Sequence, residues 1–143
     1  MPRYVIEPKV ASALAARRAE IPGTHRLLAP TLLRSQVLAA LYAQVRSGKL
    51  TRKEAQQRLD YLRGLKIRLL GDRVLQHLAW EMAQELGWKD TYAAEYIALT
   101  KLQADALVTD DTALAKAARK FVAVVPMGAL GMSKGKARSS RKR

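Results

Sequence analysis

The sequence predicts an α/β protein, a three-layer α/β/α sandwich on a short central parallel sheet with a helical hairpin beside it. Three observations carry that class. Short apolar runs alternate with amphipathic helical stretches, the pattern of parallel strands covered on both faces. Two helical stretches follow one another before residue 64 with no strand between them, which supplies the hairpin. Two of the apolar runs break off at carboxylates, and an α/β sheet opens its ligand crevice at the carboxyl ends of its strands.

Residues 4–6 form the first strand. Pro8 then suits the first turn of a helix that carries Val10, Leu14 and Ala15 on one side, to about Arg18. The pair Pro22-Gly23 makes a turn, and residues 25–30 hold a second strand, closed by Pro30, which lacks the N–H a ladder needs. Thr31 caps the next helix, where Leu33, Val37, Leu38 and Leu41 recur at helical spacing, and Gly48 marks its end. The run from Thr51 to Glu54 is a capping box, a specific helix start. The helix it opens carries Ala55, Leu59 and Leu62 before Gly64, and residues 67–70 follow as a strand. Asp72 caps a helix with Val74, Leu75, Leu78, Ala79, Met82 and Leu86 on one face, stopped by Gly87. Thr91 starts another, with Tyr92, Tyr96 and Leu99 as its ridge, to about Leu102. A strand at 106–109, a helix near 112–120 and a strand at 122–125, ending at Pro126, complete the series. With no repeat and no linker, residues 1–127 are expected to form one domain and 128–143 a basic, disordered tail.

At 143 residues the chain has the usual size of one domain, and 49% apolar content favours a folded one. No apolar run approaches the length of a membrane span, and the opening residues lack a signal-peptide layout, so a cytoplasmic protein without membrane association is expected. The absence of cysteine excludes disulfides and thiolate metal sites. The charge is less ordinary: 26 Lys and Arg against 12 Asp and Glu, or +14. Lys134, Lys136, Arg138, Arg141, Lys142 and Arg143 crowd the last ten residues, yet the remainder is basic as well. Such an excess attracts polyanions, of which nucleic acid is the commonest in a cytoplasm.

Candidate chemistry lies at two strand ends. Glu7 stands between the first strand and the proline that opens a helix, where it can face the crevice or complement the helix dipole. Asp110 and Asp111 end the strand at 106–109; one is expected to cap the following helix and the other to face the cleft, with Asp111 the candidate metal ligand. Asp90 sits at a helix start. His25 and His77 are isolated, His77 reads as a core-edge residue, and Trp80 and Trp88 read as packing anchors.

The runs Tyr-Val-Ile-Glu-Pro, Leu-Ala-Pro-Thr-Leu-Leu-Arg-Ser-Gln-Val, Thr-Tyr-Ala-Ala-Glu-Tyr-Ile-Ala-Leu and Ala-Leu-Val-Thr-Asp-Asp-Thr-Ala-Leu resemble, in order and spacing, those of a PIN domain. Within that superfamily the chain is most similar to the VapC-like toxins of bacterial toxin–antitoxin pairs, over roughly residues 3–127. The resemblance implies a PIN-like fold, about four acids around one or two Mg²⁺ or Mn²⁺ ions, and metal-dependent hydrolysis of RNA. The family's first acid falls on Glu7, the second on Gln36, the third on Ala93 and the fourth on Asp111, with Thr109 two residues before it. Glu7 and Asp111 would hold an ion while Gln36 and Thr109 orient ligands or water, with Asp110 and Asp90 as reserve ligands. Mg²⁺ demands oxygen ligands, and two dications about 3.5–4 Å apart need more negative charge than two carboxylates supply.

The expectation is therefore an endoribonuclease with weak or lost activity; the alternative is a non-catalytic domain binding RNA or an antitoxin-like protein. Arg3, Arg34, Lys89, Lys134, Lys136 and Arg138 are the candidate RNA contacts. The resemblance also implies a homodimer and a groove for a partner helix, for which Tyr42, Leu59, Tyr61 and Leu62 are candidates, with core packing the alternative reading of the same residues.

Overall fold

Five strands make one fully parallel sheet, as the computed structural model, which describes residues 1–133, lays out: β1 (Arg3–Ile6), β2 (Arg26–Pro30), β3 (Ile67–Leu70), β4 (Ala106–Val108) and β5 (Val124–Val125), in the order β3-β2-β1-β4-β5. The helices are α1 (Pro8–Arg17), α2 (Leu32–Arg46), α3 (Arg52–Gly64), α4 (Arg73–Leu86), α5 (Tyr92–Gln103) and α6 (Thr112–Ala118). Of the expected tail (128–143), residues 134–143 with Lys134, Lys136 and Arg138 lie outside the described residues, whereas Leu130 is buried in the core.

From β1 the chain steps outward to β2 and β3, then returns through α4 and α5 to place β4 on the other flank of β1. The direction of winding thus reverses between β1 and β4, where an open α/β sheet forms its crevice. Tyr4 pairs with Ala106, Val5 with Leu107 and Ile6 with Val108, so the two strands leave the core level with each other. Val5, Ile6, Leu107 and Val108 are wholly buried, which requires cover on both faces and accounts for apolar runs without alternation.

Helix α5 crosses β1, β2 and β4 and is backed by α4. Sheet on one side and helix on the other explain why Ala94, Tyr96, Ile97, Ala98, Leu99 and Thr100 are all buried. On α4 the buried set is Leu75, Ala79, Met82 and Ala83, one stripe at intervals of three or four. The expected hairpin is α2 and α3, both packed on α1. Its capping box is complete: Thr51 N–H donates to Glu54 at 2.9 Å and Glu54 N–H to the Thr51 hydroxyl at 3.1 Å. No helix among the described residues is long and apolar enough to cross a membrane.

Several expectations shift. Leu38, Val74 and Tyr92 are exposed, because periodicity fixes the middle of a helix face but not its width, and Trp80 is no packing anchor: it lies off the α4 stripe, exposed, with its indole N–H donating to Gln84 at 3.2 Å. His77 lies on the surface beside Glu81 rather than at the core edge. Thr31 and Thr91 make no capping bond; Asp90 accepts the Tyr92 N–H in place of Thr91. Strand β4 ends one residue early, at Val108, and β5 is only two residues long, since the N–H groups of Phe121 and Val122 turn back to the Ala118 carbonyl. A 3₁₀ turn at Met127–Leu130 and a bridge between Glu20 and Ser133 were not expected.

Candidate functional site

Glu7 follows β1 directly, and Pro8 fixes the backbone of the first helical residue behind it, so its side chain folds back over the start of α1. Its Oε1 accepts the N–H groups of Lys9 and, at 3.2 Å, Val10. Its Oε2 accepts the Thr109 hydroxyl at 2.6 Å across the β1–β4 seam. The residue is 3% exposed. Helix acid and cleft acid therefore describe the same group: one oxygen caps α1 while the other reaches β4.

Thr109 links the two strand ends, because its oxygen also accepts the Asp111 N–H at 3.0 Å. Asp111 itself caps α6, with Oδ1 accepting from Ala113 at 3.0 Å and Leu114 at 3.1 Å. Its Oδ2 receives the Lys9 ammonium at 2.8 Å. The expected division of labour between the adjacent acids is thus replaced: Asp111 both caps and faces the cleft, and Asp110 accepts the Met127 N–H at 3.1 Å. The Lys9 bond, followed by the Leu114 N–H, holds the Asp111 carboxyl below its ordinary range, and the same pairing raises Lys9, to which Glu7 adds its field.

Gln36 lies on α2 and accepts the Tyr96 hydroxyl at 2.6 Å. Burial first, then the negative charges of Glu7 and Glu95, push the Tyr96 phenol well above its ordinary value, so it remains a donor at any physiological pH. Position 93 lies one turn before Tyr96 on α5, and so on the same side of the helix. Glu7, Thr109 and Asp111 therefore meet at the β1–β4 seam, and Tyr96, which feels the charge of Glu7, brings Gln36 to the same side. Asp90 makes a local bond at the start of α5. Lys89 and Arg34 are surface residues, and Arg3 occupies the opposite end of β1.

Two members of the cluster were not anticipated. Tyr96 was read as ridge packing only, and nothing in the sequence pairs it with Gln36, sixty positions away. Lys9 has no part in the sequence reading; its position two residues beyond Glu7, in the first turn of α1, is the available signal.

The donor set does not fit a resident Mg²⁺ or Mn²⁺. A hard dication of this size takes about six oxygen ligands, usually including one or two carboxylates, and an ion here would have to displace the Lys9 cation from Asp111. Here both oxygens of Glu7 and both of Asp111 already accept protein donors, the Gln36 carbonyl accepts Tyr96, and position 93 offers no oxygen on its side chain. One of those donors is itself a cation, Lys9. Among the described residues no three acids or histidines gather as a metal-holding group.

Away from the crevice, Leu33, Val37, Leu59, Leu62 and Leu69 wall an apolar groove of about 530 Å³ with Arg34 and Arg63 at its edges. Leu59 and Leu62 are there as expected. Tyr61 instead donates to the Ala19 carbonyl at 2.6 Å, and Tyr42 is exposed outside the groove.

No protein-family model and no curated protein sequence matches the chain. Solved structures do. PAE2754 from Pyrobaculum aerophilum aligns over 90% of this chain and 93% of its own, with TM-score 0.68 and 21% identity. VapBC2 from Rickettsia felis, bound to a DNA fragment from their promoter, aligns over 87% and 98%, with TM-score 0.57 and 13% identity. A PilT N-terminus domain protein, SSO1118 from Sulfolobus solfataricus P2, aligns over 90% and 89% at TM-score 0.45 and 19% identity. With the parallel sheet in the order β3-β2-β1-β4-β5 and its crevice between β1 and β4, the first two likenesses establish the architecture: the chain has a PIN-like fold.

Proposed function

We propose that this chain is a cytoplasmic PIN-fold protein that binds RNA without metal-dependent cleavage. The observation that carries this reading is the Lys9 ammonium on Asp111, in a crevice where Gln36 and Ala93 stand at the two other positions of the family's acids. Two-metal hydrolysis uses carboxylates to gather dications around the attacking and leaving oxygens. In this crevice one carboxylate is buried in a cap and the other is paired with a lysine. The charge of +14 supports a polyanionic partner, and it persists when the chemistry is gone.

A mixed RNA pool incubated with Mg²⁺ or Mn²⁺ tests the reading, with binding measured in parallel by filter retention. The native protein should retain RNA and leave it intact. Cleavage by the native protein that vanishes in Asp111→Asn would overturn the proposal and restore the endoribonuclease. The variant Gln36→Glu/Ala93→Asp/Lys9→Ser asks whether the fold still supports the chemistry once the acids return and the lysine leaves.

A second reading has its own observation, the leucine-walled groove between α2 and α3 with Leu38 55% exposed at its rim. Such a groove suits an amphipathic helix with acidic flanks facing Arg34 and Arg63, as an antitoxin-like partner would present. VapBC2 supports it only by likeness of fold. A small protein that co-purifies with the native chain and is lost in Leu62→Glu would support it; sedimentation of the same samples reports whether the chain is a homodimer.

A further inference from the structure

The crevice at the carboxyl ends of the strands leaves most of the positive charge unexplained. At the opposite edge of the sheet lies a second cleft of about 920 Å³. Arg3, Arg26, Lys66 and Arg68 line it with His25 and Gln103, and no carboxylate does. All four cations are exposed, and none joins an ion pair among the described residues.

Strand register builds this arrangement. Arg3 is paired directly with Arg26, and because Leu27 pairs with Ile67, Arg26 stands beside Lys66 one step earlier. Arg68 is two residues on from Lys66 and so shares its face. Three cations therefore abut across three adjacent strands at roughly 4.8 Å intervals, a row about 10 Å long before the reach of the side chains is added. Like charges directly opposite one another in a sheet are destabilising, so this row has a structural cost, set against only a long bond from Arg3 to the Gln103 carbonyl at 3.4 Å and a contact of Arg26 with Met1 Sδ at 3.9 Å. Asp105, beyond Arg3, uses its carboxylate on the Arg3 N–H at 2.7 Å and lies outside the cleft. Beside the row, the Nδ1 of His25 is buried without a hydrogen-bond partner among the described residues. Ser133 pairs with Glu20, next to Ile21 of the cleft wall, and Gly131 approaches His25 and Pro22.

We infer that this cleft is the nucleic-acid site: the Arg3-Arg26-Lys66 row with Arg68 binds consecutive phosphates of a single-stranded polynucleotide, at the edge of the sheet remote from the acid crevice. The inference rests on the RNA-binding reading above and places it. Phosphate contacts position a strand without reading its sequence, so RNA and single-stranded DNA of one sequence should bind alike apart from contacts to the 2′-hydroxyl.

Fluorescence anisotropy with a single-stranded 20-mer (RNA in one arm, DNA in the other) tests this on the full chain. Arg26→Gln/Lys66→Gln/Arg68→Gln should weaken binding by about tenfold or more and lower the slope of log K against log salt by about 2, at roughly 0.7 per lost phosphate contact. Lys53→Gln/Arg73→Gln/Lys116→Gln removes as many charges from exposed positions outside the cleft and should change binding less than about threefold. Photocrosslinking of the native protein, which needs no variant to fold, should mark peptides covering residues 21–28 and 64–68. The inference is overturned if the control variant loses affinity while the cleft variant keeps it, or if crosslinks fall on the acid crevice; RNA binding as such then survives. It also falls, with the reading it rests on, if the native chain binds neither strand at low salt. Loss of binding on deleting residues 134–143 alone, with the cleft variant unaffected, assigns the role to the tail and overturns it as well.

Discussion

Replacing Thr109 by valine tests how the crevice is held together. The Thr109 hydroxyl donates to Glu7 at 2.6 Å and accepts from the Asp111 N–H at 3.0 Å, and the residue is 3% exposed. Valine keeps the branched shape, so no cavity opens and the cost falls on the two bonds. A hydrogen bond to a charged group contributes about 1.5–3 kcal/mol, and the neutral bond to Asp111 N–H about 1 kcal/mol. The expected loss is about 3 kcal/mol, or roughly 6–12 °C in Tm for a domain of this size. Urea unfolding followed by circular dichroism at pH 7 should show the midpoint falling at constant m. Glu7→Gln supplies the second edge of a double-mutant cycle, and a coupling of about 1–2 kcal/mol is expected for residues in direct contact. A cost below about 0.5 kcal/mol for Thr109→Val would refute the view of Glu7 as a carboxylate locked across the seam, since an accessible carboxylate would take water in place of the lost hydroxyl.

Tyr96→Phe leaves the Gln36 carbonyl without its donor and should cost about 1 kcal/mol, read from the same urea curves. Lys9→Gln should cost well under 1 kcal/mol at pH 7 because the pair is largely exposed and screened. The Asp111 carboxyl is held below 3.8, so its contribution is complete above that pH and lost as pH falls through the lowered value; Lys9→Gln should therefore match the native Tm in acid and fall behind above pH 3.8. Glu95 has the opposite sign: burial raises its carboxyl above 4.5, so ionisation works against the fold, and Glu95→Gln should raise Tm at pH 7 but not below pH 4.5. Thr51→Ala removes half of the capping box on α3 and should cost about 1 kcal/mol in thermal unfolding.

Glu7 and Asp111 were legible because each is a carboxylate just beyond the buried end of a strand, and strand ends are where α/β sheets place chemistry. The capping box was legible because both partners are three residues apart and need no tertiary contact. What could not be read is what register decides. Lys9 and Asp111 meet because β1 and β4 end level, and Tyr96 meets Gln36 because α5 crosses the face that α2 borders; neither pairing leaves a local pattern. Arg3, Arg26 and Lys66 look like scattered surface charges until the strands align them. The exposed Leu38, Val74 and Tyr92 fail for a related reason, since a periodic stripe states which way a helix faces but not how far its neighbours reach. Strand β5 was read two residues too long because Val122 continues the apolar run while its N–H is already committed to the Ala118 carbonyl.

Direct binding of Mn²⁺ to the native chain, read from the loss of the free-ion electron paramagnetic resonance signal at pH 7, tests the central claim without reference to activity. Glu7 and Asp111 satisfied by protein donors, with a lysine already on Asp111, predict that the free-ion signal is unchanged by equimolar protein at submillimolar concentration. A stoichiometric site at that concentration, abolished by Asp111→Asn, would contradict the account.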